Sequence, residues 1–236
     1  MSLYSHKRYR DEALVHFDAV EEWTSDNPTT IDAGIPDAPL AMALSNARRD
    51  VHAICAKHDL DWVAVEDAGI TYPASADYIQ IEPPGSVLRR PPQAILLIED
   101  VRQNTQVPIY RASRDERWRG DLRAWPYAAT LTGGRLRLRP LPPALTLRFT
   151  YVPVLGHVTR QDLTSERMDD EIPVAAQFAV PIRAAIYLCI TDQRPHAQLE
   201  RMWADAQVRL ADAARMRESF SPRFPRSTRP YVGLAS

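Results

Sequence analysis

The stretch from Thr130 to Tyr151, TLTGGRLRLRPLPPALTLRFTY, constrains the fold more than any other. Leu136 and Leu138 alternate with Arg135, Arg137 and Arg139. Beyond the Pro140–Ala144 corner, Leu145, Leu147, Phe149 and Tyr151 alternate with Thr146, Arg148 and Thr150. Strict period two puts the apolar set on one face and the arginines on the other. Gly133-Gly134 supplies the positive φ angles that a two-residue hairpin needs. Tyr127, Ala129 and Leu131 alternate upstream. The pattern predicts a three-stranded antiparallel meander, with the helical segments on either side as the expected cover for its apolar face.

A chain of 236 residues has room for one domain, or one with an appendage, around a sizeable core. The net charge of −1 predicts neither bulk attraction to nucleic acid nor to a membrane surface. Lys7 and Lys57 are the only lysines among 29 basic residues, and arginine forks suit planar, bidentate contacts between proteins. Cys55 and Cys189 sit among apolar neighbours in helical patterns and read as buried, reduced thiols. The opening MSLYSHKRYRDEAL is charged where a signal peptide would be apolar, and no apolar run reaches membrane-spanning length. A soluble protein made in a reducing compartment is expected.

Arg8 to Trp23 carries Leu14, Phe17 and Val20 at helical spacing. Residues 25–39 form a turn-rich connector, and Asp37 is placed to cap a long helix whose stripe is Leu40, Leu44, Ala47, Val51, Ile54 and His58. Strands are predicted over 63–71, 78–82 and 94–101, with 106–110 as the hairpin partner of the last. Ser113 to Glu116 has capping-box spacing for a short helix through Trp118. After the polar loop HVTRQDLTSERMDDE, Ile172-Pro173 opens a helix through Phe178, Ile182, Ala185, Ile186, Cys189 and Ile190. Pro181 inside it demands a kink or a late start. Pro195 fits the first turn of the last helix, with Leu199, Met202, Trp203, Ala206, Leu210 and Ala213 as its stripe.

Known catalytic signatures are missing from the chain: it contains no Walker loop, GxGxxG, HExxH or GxSxG. His52, Cys55 and His58 follow one another in steps of three on a helix, which fan apart by about 60° each and do not converge on one ion. The acids Asp162, Glu166, Asp169, Asp170 and Glu171 have the composition of a hydrolytic carboxylate pair, but a solvated connector accounts for them more simply. The arginine face Arg135, Arg137, Arg139 and Arg148 suits phosphates, solvent or acids on a neighbouring chain. No aromatic platform is interleaved with it, so solvent or protein is preferred. The last segment mixes Phe220, Phe224 and Tyr231 with Arg223, Arg226 and Arg229 among prolines. It cannot build a core, and reads as an arm that orders on a partner, aromatics anchoring and arginines forking.

The order of parts resembles a known family. The long helix with ALSNARRDV is followed by SADYIQIEPPGSVLR, then by WPYAATLTGGRLRLRPLPPALTLRFTYVPV. An acidic loop then leads into EIPVAAQFAVPIRAAIYLCI and a final long helix. Over most of residues 35–215 this succession is similar to the head-to-tail adaptor (connector) proteins of tailed bacteriophages. The resemblance implies an α+β, mainly helical fold: an antiparallel helix bundle with an inserted β-region and an extended C-terminal arm. The expected parts are an N-terminal helix and connector (1–36), a bundle (37–62 and 172–217), an antiparallel β-region (63–153), an acidic loop (154–171) and the arm (218–236).

It implies a structural virion protein of the neck, assembled in the host cytoplasm. Its partners would be the portal protein, a tail (nozzle or tube) protein and itself in a ring, typically of twelve copies. DNA would pass through the lumen without sequence-specific reading, with no membrane, cofactor or metal involved. Phe220, Arg223, Phe224, Arg226, Arg229 and Tyr231 would bind the portal, and Arg135, Arg137, Arg139 and Arg148 would face a neighbouring subunit or the tail. Two other functions are weighed: a carboxylate-dependent peptidoglycan hydrolase using the acidic loop, and a DNA-binding regulator, which the near-neutral charge disfavours.

Overall fold

A computed structural model describes residues 4–24, 35–74, 76–107, 109–111, 128–139 and 143–220, with backbone alone at 21–24, 110–111, 128, 130, 139 and 217–220. The fold is α+β. Its described residues form two compact units: 4–63 with 155–220, which is helical, and 64–154, which is built of sheets.

In the helical unit, α1 (His6–Thr24), α2 (Asp37–His58) and α5 (Ala197–Phe220) all pack on α4 (Ala179–Thr191). A four-residue helix, α3 (Leu60–Val63), follows α2. Along α4, Ala179, Val180, Pro181, Ile182, Ala184, Ala185, Ile186, Leu188 and Cys189 are buried, the pattern of a helix surrounded by others. Pro181 sits in its first turn, where a missing N–H costs no intrahelical bond. The chain from Ile172-Pro173 first makes a short 3-10 turn, Val174–Ala176, so the helix starts late. Pro36 precedes α2 and Asp37 is its first helical residue. Pro195 lies two residues ahead of α5.

The buried face of α1 is Tyr9, Ala13, Phe17 and Val20, with Leu14 only half-buried. On α2 the expected stripe turns away at its end. Ile54 is half-buried and His58 exposed, while Arg48, His52 and Cys55 go inside. At 3.6 residues per turn the inward face drifts off a strict alternation of threes and fours. Asp50 of α2 accepts from Arg183 Nε and from the Tyr187 hydroxyl of α4, at 2.7 and 2.8 Å. The Arg183 guanidinium also lies 5.2 Å from the Trp203 ring of α5, so one cation joins three helices.

The sheet unit holds β1 (Val65–Tyr72), β2 (Ile79–Gln80), β3 (Pro92–Asp100), β4 (Thr105–Gln106), β5 (Ile109–Arg111), β6 (Ala128–Thr132), β7 (Arg135–Arg139) and β8 (Leu145–Pro153). One sheet runs β1-β8-β3-β4 and the other β2-β7-β6-β5. The β6–β7 hairpin forms as the glycines require, with Gly133 and Gly134 at φ +55° and +70°. The meander does not continue: β8 pairs with β1 and β3 in the other sheet. Prolines 140, 142 and 143 lack the N–H groups that would extend a ladder past the corner. In this unit the cover is also a sheet rather than helices, because Leu136 and Leu138 share one core with Leu145, Leu147, Phe149 and Tyr151. The Tyr72 hydroxyl joins the sheets, accepting from Leu138 N at 3.3 Å and donating to Ala76 O at 3.1 Å.

Two further expectations are revised. Thr105–Gln106 is the hairpin partner of β3, whereas Ile109–Arg111 runs parallel to β6. The strand expected over 78–82 is reduced to Ile79–Gln80. The 113–118 helix and Tyr127 lie outside the described residues.

At Gly134 an added Cβ would stand 2.8 Å from Glu82 Oε2 and 2.9 Å from Glu82 Cβ, whereas at Gly133 it meets nothing within 4 Å. Gly133→Ala should therefore cost about 1–2 kcal/mol for its φ alone. Gly134→Ala should cost more, by urea denaturation. Equal costs would mean that the close approach to Glu82 is relieved freely.

Candidate functional site

The most strongly built polar cluster lies where the acidic loop returns to α2. Arg48, 2% exposed, grips Asp169, 1% exposed. Arg48 Nε donates to Asp169 Oδ2 at 3.0 Å and Nη2 to Oδ1 at 3.1 Å, the paired fork that arginine alone can make. The same Nη2 reaches Glu171, and Nη1 donates to the Gly156 carbonyl at 3.1 Å. Around this pair the backbone is closed off. Asp169 N donates to Tyr4 O at 2.9 Å, and Tyr4 N donates to Gln177 Oε1 at 2.8 Å. Gln177 Nε2 donates to the carbonyls of Asp169 and Ile172 at 2.8 and 3.0 Å.

The loop is thus not the solvated connector expected of it. Its buried acid is the anchor that fastens the loop, the entry to α1 and the lead into α4 onto α2. One signal for this exists in the sequence. Arg48 occupies a stripe position between Leu44 and Val51, where an unpaired charge would be intolerable.

The cluster sets the protonation of its neighbours. Burial, then the Arg48 charge, drives the His52 imidazole down to about 4. His52 is 5% exposed, and among the described residues its Nε2 has no hydrogen-bond partner. His6 is lowered by the same two causes in the same order. The Tyr9 phenol is pushed far up by burial and then by the Asp169 charge. The remaining loop acids are engaged differently. Asp162 Oδ2 accepts from Thr159 N and Oγ1, each at 2.7 Å, and the hydroxyl bond holds the carboxyl below its ordinary value. That is the wrong direction for a general acid. Glu166 is largely exposed and pairs with Lys7 at 3.1 Å.

His52 and Cys55 point into the core and His58 is exposed. The two thiols are buried, with Cys55 pushed up to about 12 and Cys189 to about 11, in each case chiefly by burial. They are poor nucleophiles and poor ligands.

The arginine face is largely turned to partners within its own unit. Arg148 on β8 reaches Glu66 on β1 at 3.2 Å and Glu99 on β3 at 3.5 Å. The Arg135 guanidinium lies 4.5 Å from the Tyr78 ring, and Arg137 is 3.7 Å from Asp77. Only the backbone of Arg139 is described. These contacts are invisible in the sequence because they depend on which strands flank β7 and β8. Residues 218–220 continue α5, so Phe220 ends a helix rather than opening an extended arm. Arg223, Phe224, Arg226, Arg229 and Tyr231 lie outside the described residues.

Among the described residues, one face of α2 stays open. Ala38, Ala41, Met42, Ser45 and Asn46 floor a groove of about 690 Å³, with Arg49, His157, Val158 and Arg160 as its remaining wall. Its second wall is pinned by Val158 N donating to Ser45 Oγ at 2.9 Å. Met42 is 58% exposed there. Sequence reading missed this surface, since a methionine outside the apolar stripe carries no signal of its own. Among the described residues no helix is long and apolar enough to cross a membrane. No protein-family model matches the chain, and no characterised protein is significantly similar to it in sequence.

Proposed function

We propose that this protein is a structural, non-enzymatic head-to-tail adaptor of a tailed bacteriophage virion. In this reading a ring of copies sits beneath the portal, extends the DNA channel and offers the tail its platform. The observation that carries it is the order of parts. Two chain segments flanking an inserted β-unit together make one helical unit, and the last helix leads straight into a segment rich in arginine, proline and aromatic residues. The surfaces already described support a role in assembly. The described residues offer an open face on α2, while the buried acids of the loop serve as structural partners.

The portal and a tail protein are the proposed partners, with the chain's own copies in a ring of about twelve, the number the family resemblance implies. DNA would thread the lumen without being read. The segment that follows Phe220, the last residue of α5, is the proposed portal-binding arm, through Arg223, Phe224, Arg226, Arg229 and Tyr231. The peptidoglycan hydrolase reading gains nothing from the loop, where Asp169 and Glu171 are held by Arg48 and Asp162 is kept ionised.

The test is native mass measurement after mixing the chain with its portal ring. A stoichiometric ring that forms on portal is expected, and no association at low or high salt would overturn the reading. Ending the chain at Phe220 is expected to leave helical content unchanged while weakening portal docking about 100-fold or more, as loss of anchoring aromatics and arginines does. If the shortened chain loads normally, the arm is not the docking element.

A further inference from the structure

The start of the chain lies along the acidic loop. Ser5 bridges Met168 in antiparallel fashion. Lys7 N donates to Ser165 O at 3.2 Å, and Asp169 N donates to Tyr4 O at 2.9 Å. Lys7 and Glu166 pair on the outside, where both are exposed. Residues 4–7 and 165–169 are thus joined by a short main-chain ladder and one ion pair of a kind worth little. The ladder carries Asp169, and Asp169 closes over Arg48.

Two histidines meet this same pair. His52 follows Arg48 by four residues on the inward face of α2, and among the described residues its buried Nε2 has no hydrogen-bond partner. His6 sits within the ladder, half-buried, its ring 6.2 Å from that of Tyr9. Each element packed on α2 contributes differently to the charge around His52. α2 itself brings Arg48, the loop brings Asp169 and Glu171, and α1 brings His6 and Tyr9. Among the described residues, the buried face of α4 offers Cys189 as its titrating group, while Arg183 and Tyr187 are occupied with Asp50. The buried face of α5, Leu199, Trp203, Ala206, Leu210 and Ala214, is apolar, and Asp61 of α3 is exposed. Burial first and Arg48 second oppose a proton on His52, and Asp169 favours it. An imidazolium there needs water.

Water reaches His52 either by unfolding the packed helices or by lifting the ladder from Arg48. The second route breaks a few bonds near a chain end and leaves the helix contacts of α4 in place. We propose that residues 4–7 and 165–171 form a proton-sensitive clasp over the Arg48–Asp169 pair, which opens when His52 is protonated while α2, α4 and α5 stay packed. The clasp is shut at neutral pH, where His52 is uncharged and Arg48 has Asp169 as its counter-charge. On acidification the imidazolium and Arg48 become two adjacent buried cations, and opening brings both to solvent. His6 leaves with the ladder and is hydrated in the same step.

The test is amide hydrogen exchange of the full chain by nuclear magnetic resonance at pH 7.5 and 5, corrected for the intrinsic effect of pH, without urea and in dilute urea. The amides of Lys7 and Asp169 are expected to open at least about 30-fold more often at pH 5, the factor set by a proton that binds at 6.5 in the open form and about 4 in the closed one. This opening should be insensitive to urea, because it exposes little surface, and the amides of α4 should stay better protected. His52→Gln should remove most of the increase, whereas His6→Gln should leave the part due to His52. Equal opening at both pH values would overturn the proposal. So would an increase that follows urea with the same slope as α4, which marks global unfolding. Both outcomes are read on the parent chain, so neither depends on a variant that folds. Either would leave the adaptor reading standing, because that rests on the order of parts.

Discussion

Replacing Arg48 with methionine is expected to destabilise the helical unit by about 3–5 kcal/mol, the largest effect of any single change considered. The side chain is close in length and apolar, so the loss is not one of volume. What remains is Asp169, buried at 1% exposure with its fork partner gone, and Glu171 without its charge-assisted bond. An ion pair of this kind adds little over a well-packed apolar pair, because desolvating both ions offsets most of their attraction. Breaking one half is what costs. Arg48→Met combined with Asp169→Asn should therefore recover a good part of the loss, since asparagine keeps a side-chain acceptor for Glu171 N, which donates to Asp169 Oδ1 at 2.9 Å. Urea unfolding followed by far-ultraviolet circular dichroism measures both. A single variant within about 1 kcal/mol of the parent, the scale of an exposed pair, would show that the cluster opens to water.

Lowering the pH from 7 to 4.5 is expected to cost the helical unit about 2–3 kcal/mol through His52 alone. In the folded state its imidazole is held down to about 4, while in the unfolded chain it returns to 6.5. The unfolded state therefore binds the extra proton first. Stability is fully present above about pH 6.5, falls as the pH drops through the window, and levels off below about pH 4. His6 and His16, lowered chiefly by burial, add slopes of the same sign. His52→Leu should flatten the profile between pH 6.5 and 4 by most of that amount while leaving the contribution of the other two. Parallel profiles for parent and variant would show that His52 is protonated as easily folded as unfolded.

The limits of sequence reading are clearest at Arg48 and at β8. Period two determined that residues 135–139 and 145–151 are strands, which side of each is apolar, and that Gly133-Gly134 turns between strands. Period 3.6 determined the long helices, and Pro181 limited α4 to a kink or a late start, of which the structure takes the second. These are local consequences of backbone geometry, and each residue carries its own evidence. Which strand lies beside β8 is a different matter. Leu145, Leu147, Phe149 and Tyr151 satisfy a neighbour in the same sheet or a facing sheet equally well, and only the closed core selects the second.

The same holds for the charges. Arg148 reads as an open cation until β1 and β3 bring Glu66 and Glu99 beside it. Asp169 reads as a solvated acid until a loop more than a hundred residues away in sequence folds onto Arg48. The sequence by itself determined the long helices, the strands on either side of Gly133-Gly134 and their apolar faces, because those depend on neighbours two to four residues away. Tertiary structure alone decided pairings, burial of charge and the open groove of α2, because the electrostatic cost of a charge is set by what surrounds it in space.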